Sequence, residues 1–466
     1  MQNNNKEELL IENENGYLKL SEQEIKKVND FCEGYKNFLN NSKTERESVK
    51  YILNKIKSLG FEEFEISKKY NPGDKIYYIN RDKALIIATI GSAPLSDGVS
   101  MLISHIDSPR IDLTPRPLYE SSELVFFKTQ YYGGIKKYQW TALPLSVHGV
   151  VEKKDGTSVE ISIGENENDP VFCITDLLPH MAQDQMKRAS NQIVKGDELN
   201  ILIGSVPCND DQDKNSKSKF KLNIMKLLNQ KYGITEQDLI SADLSFVPAH
   251  KAVDVGFDSS LIGSYGHDDR VCAYASLEAH LETDIPEKTV ITVFTDKEET
   301  GSDGNTGLKS RFLEYFVSHL ATPFGIDYKQ VLSNSVCLSA DVTSAFDPTW
   351  KDPYDNYNSA YLNYGVSLTK YNGHGGKYGT SEASPKFLAN VIDILDKNQV
   401  IWQTGGLGKV DIGGGGTIAS YVANLDVEVL DIGVPVLSMH SPFEIVSKID
   451  VYMTYKAFYY FINNKK

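Results

Sequence analysis

The sequence predicts an α/β fold interrupted by a β-rich insert. Apolar strand-like runs alternate with helical-period segments on both sides of a stretch where short β-type runs dominate. In addition, His, Asp and Glu stand just after strand-like runs or at the mouth of a helix: His105 in SHIDSP, Asp268 in GHDDR, Glu298 and Glu299 in FTDKEETGS, Asp341 in LSADVTSA and His440 in VLSMHSP. In an open α/β sheet, side chains remote in sequence converge on the crevice at the carboxyl ends of the strands.

The elements follow in order. Ser21 and Glu24 form a capping box before Ile25, Val28, Phe31, Tyr35, Phe38 and Leu39 at helical spacing. A second box, Thr44 with Glu47, opens a helix through Val49, Ile52, Leu53 and Ile56 that Gly60 can end. Lys83–Ile90 and Val99–Ser104 read as strands, the second delivering His105. From about Glu123 to Ser205 the runs are short and β-rich, including Leu124–Phe127 and Val147–Glu152, with Asp155-Gly156 as a hairpin turn before Val159–Ile163. The polar stretch 209–219 reads as a solvated loop, followed by a helix-like Leu222–Gln230. After Val253 the alternation returns: helix Arg270–Leu281, strands Thr289–Phe294, Val336–Leu338, Val427–Leu430 and Val434–Leu437, and a closing aromatic helix Asp450–Phe461. The expected division is a first catalytic segment at 1–109, an inserted β-rich domain at 110–248, and a second catalytic segment at 249–466. All proposed metal ligands fall outside the insert.

At 466 residues the chain exceeds what one core usually supports, and 41% apolar with 24% charged residues is ordinary for a globular protein. A net charge of −15 with no basic run argues against a nucleic-acid partner. No apolar run approaches the roughly 18–20 residues of a membrane helix, and the polar, acidic amino terminus has no signal pattern. Cys32, Cys173, Cys208, Cys272 and Cys337 are scattered and odd in number, which suits a reducing compartment; the cytoplasm is the expected address.

The residue types explain a metal expectation. Zinc takes neutral imidazole and carboxylate oxygen, and a catalytic site leaves a position open for water. A paired site about 3.5–4 Å across needs one carboxylate to bridge both ions, further ligands for each, and a free carboxylate as base. Two His and four acids meet that need. Each residue also has an ordinary reading: a His after a strand is often a satisfied core residue, Asp268 and Asp269 can serve a helix amino terminus, and Glu298-Glu299 can be an exposed acidic loop. Adjacent carboxylates at a strand end repel unless a cation or differing roles separate them, and Asp107 stands where it can orient the His105 ring. Their coincidence in one α/β pattern favours the metal site. Gly413–Gly416 with Thr417 lacks the Lys of a phosphate-binding loop, leaving a tight turn or a backbone-lined substrate wall formed by Gly415, Gly416 and Thr417.

HIDSPRIDL, PHMAQDQ, GHDDRVCAY, KEETGS, SADVTSA and MHSPFE, in that order, resemble the signatures of the aspartyl aminopeptidase and vacuolar aminopeptidase I family of co-catalytic zinc metallopeptidases, from about residue 20 to the end. The resemblance implies a mixed-sheet, three-layer zinc-peptidase domain with an inserted β-rich dimerisation domain, and two zinc ions per subunit. Asp268 would bridge the ions, His105 and Asp341 would complete one, and Glu299 and His440 the other. Glu298 would be the general base and Asp107 would orient His105. His180, in PHMAQDQ, matches a histidine that reaches across a dimer into the neighbouring active site, and six dimers commonly close into a tetrahedral dodecamer. The stretch KYNGHGGKYGTSEAS corresponds to a substrate-recognition segment but departs from the aspartyl-preferring members, so Lys370 or Lys377 meeting an acidic side chain is one option and a neutral preference the other.

The expected function is therefore a metalloaminopeptidase that hydrolyses the amino-terminal residue of peptides with a dinuclear zinc-activated water. The alternatives are another dimetal amidohydrolase (carboxypeptidase or deacylase), a phosphoesterase, or a non-catalytic scaffold or cargo protein. Cobalt or manganese could replace zinc in so carboxylate-rich a site.

Overall fold

The computed structural model describes residues 9–11, 13–209 and 218–464, so most of the polar stretch expected to be a solvated loop lies outside the described residues. Contacts divide the chain into two units. The first takes the residues up to Asp107, then Ala252–Met439, and again from Glu444; the second takes Ser108–Lys251 with His440–Phe443.

The first unit is built on a nine-stranded mixed sheet. Its order is Glu62–Glu63, Lys75–Asn80, Ala84–Thr89, Val290–Thr295, Ser100–His105, Val336–Ala340, Glu428–Gly433, Val366–Thr369 and Trp402–Thr404. Ser100–His105 runs parallel to both its neighbours, Val290–Thr295 and Val336–Ala340, and the latter is parallel to Glu428–Gly433. These central strands read as continuous apolar runs because both faces of the sheet are covered. Leu85, Ile87, Leu102, Phe294, Leu338 and Ile432 pack in one core with the helices Glu22–Asn41, Glu45–Lys57, His267–Leu281, Pro385–Lys397 and Lys448–Ile462. Their alternate neighbours Ile86, Met101, Ile103, Val293, Cys337 and Val429 pack in a second core with Phe312–Ala321, Tyr328–Ser333 and Ala419–Ala423. The period of two along each strand thus sorts one sequence into helix, sheet and helix layers.

Both capping boxes are present. Ser21 and Thr44 accept from Glu24 N–H and Glu47 N–H, while each Glu side chain returns to its cap backbone. The second helix ends at Lys57, before Gly60, whose φ of +83° places it in the turn that follows. A five-stranded sheet, in the order Val253–Val255, Leu261–Ser264, Glu444–Ser447, Pro435–Leu437 and Thr343–Ser344, leads the chain into the helix that begins at His267.

The second unit is a seven-stranded antiparallel sheet. Its order is Ser158–Ile163, Leu145–Glu152, Ala242–Pro248, Arg110–Ser121, Leu124–Tyr132, Ile201–Gly204 and Cys173–Ile174, with the helix Lys219–Tyr232 beside it in sequence. Among the described residues no helix is long and apolar enough to cross a membrane.

Candidate functional site

Three parallel strand ends of the first unit carry the site. His105 is the last residue of Ser100–His105, Glu298 and Glu299 follow Val290–Thr295 in a short 3-10 turn, and Asp341 follows Val336–Ala340. Lys297, at φ +71°, enters that turn in the left-handed conformation. Asp268 comes from the mouth of the helix His267–Leu281, where it and Asp269 leave helical geometry and are joined by a cis peptide. The Asp268 N–H, which the helix cannot satisfy, donates to Glu444 Oε2 at 3.1 Å.

The geometry is centred on the buried imidazole of His105. Its Nδ1 donates to the Asp107 backbone carbonyl at 3.0 Å. A carbonyl can only accept, so Nδ1 carries a proton, and Nε2 faces the acids. Nε2 lies 3.1 Å from Asp268 Oδ1, 3.7 Å from Asp341 Oδ1 and 3.9 Å from Glu298 Oε2. Ligand atoms of His105, Asp268 and Asp341 all fall within 4.8 Å of one another, as do those of His105, Glu298 and Glu299.

The main-chain carbonyl of Asp107 lies closer to the His105 ring than its carboxylate does. Its carboxylate stands 3.4 Å from His105 Nδ1, and its two oxygens accept Glu298 N–H and Glu299 N–H, each at 3.2 Å. One buried acid therefore fixes the strand that carries the histidine against the turn that carries both glutamates.

The electrostatics call for a cation. Burial pushes the Glu298 carboxyl up to about 8, which His105 counters and Asp341, Asp268 and Asp107 reinforce. Burial also raises Asp341, against a hydrogen bond from His105. For His105 burial works downward, yet hydrogen bonds to Asp107, Asp268 and Asp341 outweigh it and hold the imidazolium well above its ordinary range. A set of carboxylates that will not share this space without positive charge, around an imidazole whose second nitrogen is already engaged, fits a divalent ion bound by nitrogen and oxygen. The donor set suits zinc.

The other expected residues are placed as follows. His440 stands, at φ +64°, on the loop joining Pro435–Leu437 to Glu444–Ser447, and its Nδ1 lies 2.9 Å from Gly134 O. His180 is exposed on the turn Pro179–Met181 of the second unit. Lys370 and Lys377 both reach Glu382, at 3.6 and 3.0 Å, and Lys377 lies over the Tyr371 ring. Gly415 accepts Gly373 N–H at 2.7 Å, and Gly416 lies close to Gly379 O. Thr417 donates to Asp431 at 2.8 Å. Gly414, at φ +122°, has no room for a side chain, since a Cβ would stand 2.1 Å from Gly373 O.

Asp431 and Glu444 carry no expectation from the sequence, and Asp269 only that of a carboxylate at a helix amino terminus. Asp269 is fully buried beside the cluster, and burial holds its carboxyl well above the usual range. An acid inside an apolar strand run, as in VEVLDIGVPVL or FEIV, was the available signal for the other two.

Comparison with known proteins gives the same answer along nearly the whole chain. The family described as aminopeptidase I zinc metalloprotease (M18) matches residues 38–462. A probable M18 family aminopeptidase 1 of Borrelia garinii subsp. bavariensis is 46% identical over 460 residues, covering 96% of this chain and 100% of its own. The crystal structure of aminopeptidase I from Clostridium acetobutylicum superposes with a TM-score of 0.92 at 45% identity, over 98% of this chain and 100% of that one. The mature aminopeptidase 1 dodecamer of S. cerevisiae shares the fold at a TM-score of 0.74 and 22% identity, over 93% of this chain and 97% of that one.

Proposed function

The chain belongs to the aminopeptidase I zinc metalloprotease (M18) family and is an aminopeptidase that removes amino-terminal residues from peptides; from that premise we propose how its own side chains do so. The observation that carries the reading is the convergence of His105, Asp268 and Asp341, with Glu298 beside them, at the carboxyl ends of parallel strands.

Two zinc ions are held per subunit, with cobalt or manganese as possible substitutes. Asp268 would be shared between the ions, with His105 and Asp341 as the further ligands of one and Glu299 and His440 of the other. Support for the first set is its common cluster; His440 is assigned by the order of motifs in the chain. The chemistry such ions would supply there is Lewis acidity toward a carbonyl oxygen and a lowered pKa for water.

The remaining steps belong to the protein. Glu298 takes a proton from the attacking water as the new C–O bond forms, and delivers it to the departing amine nitrogen as the C–N bond breaks. Its burial among acids raises its proton affinity toward the working range, which suits a group that must both accept and release a proton. Asp107 holds the Glu298 and Glu299 backbone so that base and ligand keep their separation. Gly415, Gly416 and Thr417 line the substrate wall, and Lys370 and Lys377, on the loop whose Gly373 N–H donates to Gly415, are the cations offered to an acidic substrate side chain.

The second unit serves self-association. Its exposed apolar side chains Leu177, Leu178, Met181 and Met186 flank His180, which reaches the neighbouring active site in a dimer. Six dimers closing as a tetrahedral dodecamer is the assembly proposed, with the yeast dodecamer as precedent for the fold. The five free cysteines suit the cytoplasm.

The test is a metal series (zinc, cobalt, manganese) on the stripped protein, with initial rates on reporters bearing free amino-terminal Asp, Glu, Leu, Lys and Met and on their N-acetylated forms, and bound metal counted. Two ions per chain with turnover of free amino termini only is expected. Turnover of the acetylated forms alone, or one ion at full activity, overturns the scheme.

A further inference from the structure

We propose that Asp431 is a positioning residue that fastens two glycine-rich loops, 370–382 and 413–417, into one wall beside the His105–Asp341 cluster, and so sets how tightly the amino-terminal residue of the substrate is held. The inference rests on the reading of these loops as substrate wall.

Strand register gives the location. Ser339 pairs with Asp431 and Ala340 with Ile432 across the parallel strands Val336–Ala340 and Glu428–Gly433. Side chains two apart share a face, so Asp431 and Ser339 lie on the face of Asp341, one step of about 7 Å behind it. The same parity places Ile103 with Ser339 and His105 with Asp341, since Ser339 also pairs with Ile103. Asp431 thus stands on the strand next to that of Asp341, one pleat further back on the same face of the sheet.

Its two oxygens serve two different loops. Oδ1 accepts the Thr417 hydroxyl at 2.8 Å, and Oδ2 accepts Asn372 Nδ2 at 3.1 Å. Beyond those bonds the loops meet backbone to backbone: Gly373 N–H donates to Gly415 O, and Gly414 lies too close to Gly373 O to admit a Cβ. Chains so rich in glycine have little side-chain area to bury and high conformational entropy to lose. They need a polar anchor. Asp431 is 5% exposed among Val429, Leu430 and Ile432, so an apolar residue would suit the strand better if packing were all that mattered. Burial pushes its carboxyl up to about 7 even with the Thr417 bond working the other way. A costly group kept in an apolar strand, with each oxygen committed to one loop, marks a device for holding the loops in register.

The test uses the zinc-loaded full-length enzyme with leucine p-nitroanilide, comparing Asp431→Ala, Asp431→Asn and Thr417→Val. In Asp431→Ala, KM should rise about tenfold with kcat within about twofold, the pattern of lost substrate positioning rather than lost chemistry. Zinc per chain should be unchanged. Amide exchange should quicken in 370–382 and 413–417 together, and Asp431→Asn, which keeps one of the two acceptors, should fall between the parent and Asp431→Ala in both effects. If Asp431→Ala does not fold, Thr417→Val carries the test, with the same joint rise in KM and loosening of both loops. Unchanged KM with unchanged exchange overturns the proposal, as does loss of kcat together with zinc, which would assign Asp431 to the metal ligands instead. Failure of the aminopeptidase reading shows differently: the parent enzyme would not turn over the reporter, while exchange in the variants would still decide whether Asp431 joins the loops.

Discussion

Asp107 Oδ1 accepts the backbone N–H of Glu298 at 3.2 Å, and this bond ties the segment after Ser100–His105 to the turn after Val290–Thr295. Glu298 is therefore held by its main chain, and its side chain can be altered without moving the turn. Glu298→Gln should bind zinc as the parent does and lose about 10²–10⁴-fold in kcat. Bound metal and single-substrate kinetics measure this, and substantial residual turnover would refute the base assignment.

Asp107→Asn is expected to behave differently. One oxygen becomes an amide nitrogen that cannot accept, so either Glu298 N–H or Glu299 N–H loses its partner and the His105 side of the site loosens. Zinc affinity should fall about 10–100-fold, as for other residues that orient metal ligands. Competition with a chelator reads the affinity, and an unchanged constant would contradict the role given to Asp107.

Metal should also stabilise the fold, because the buried acids repel one another without it. Saturating zinc at about 1,000 times its dissociation constant is worth about 4 kcal/mol to the folded state. The thermal midpoint of stripped protein should rise on adding zinc, and His105→Ala should shrink that rise.

Acid sensitivity should have a source away from the site. His280 is fully buried between Thr89 and Thr292, at 3.0 and 2.7 Å, and burial, aided by Lys75, lowers its pKa from 6.5 to about 3. Between those values the unfolded chain binds a proton that the folded chain refuses. Stability is thus present above pH 6.5 and is lost as pH falls toward 3, by about 1.4 kcal/mol per unit. Urea unfolding between pH 7 and 4 should show a shallower decline in His280→Gln than in the parent; parallel slopes would dismiss the assignment.

On the role proposed for Lys370 and Lys377, Glu382 should bear on substrate choice. It occupies both Lys370 and Lys377, so the wall offers these cations already neutralised. All three groups are half exposed, where such pairs are worth about 0.2–1 kcal/mol. Glu382→Gln should raise kcat/KM for Asp- and Glu-initiated reporters relative to Leu by up to about fivefold. An unchanged ratio would remove these lysines from the specificity determinants.

The parts of the fold legible in sequence are those where local pattern and global role agree. Ala84–Thr89, Ser100–His105 and Val290–Thr295 are apolar throughout because they are buried on both faces, and the capping boxes at Ser21 and Thr44 are local by nature. Arg110–Ser121, by contrast, carries Pro115, Pro117 and several polar residues, and its pairing with Leu124–Tyr132 is irregular between Leu113 and Leu118, so no strand pattern survives. The helix Phe312–Ala321 is short and apolar, and such a run is ambiguous between helix and strand. At the site, His105, Asp268, Glu298 and Asp341 were visible as polar residues at the ends of apolar runs. Glu444 and Asp431 were not, because each works on a partner far along the chain: Asp268 for one, Thr417 and Asn372 for the other.

The position of Val290–Thr295 has a consequence for biosynthesis. It lies between Ala84–Thr89 and Ser100–His105, so those two strands, adjacent in sequence, are kept apart in the finished sheet. As the chain leaves the ribosome both emerge with bare apolar faces and unpaired edges, and they must avoid forming a hairpin with each other while the whole second unit is translated. Ser100–His105 accordingly lacks both of its final neighbours until Val290–Thr295 and then Val336–Ala340 have cleared the exit tunnel.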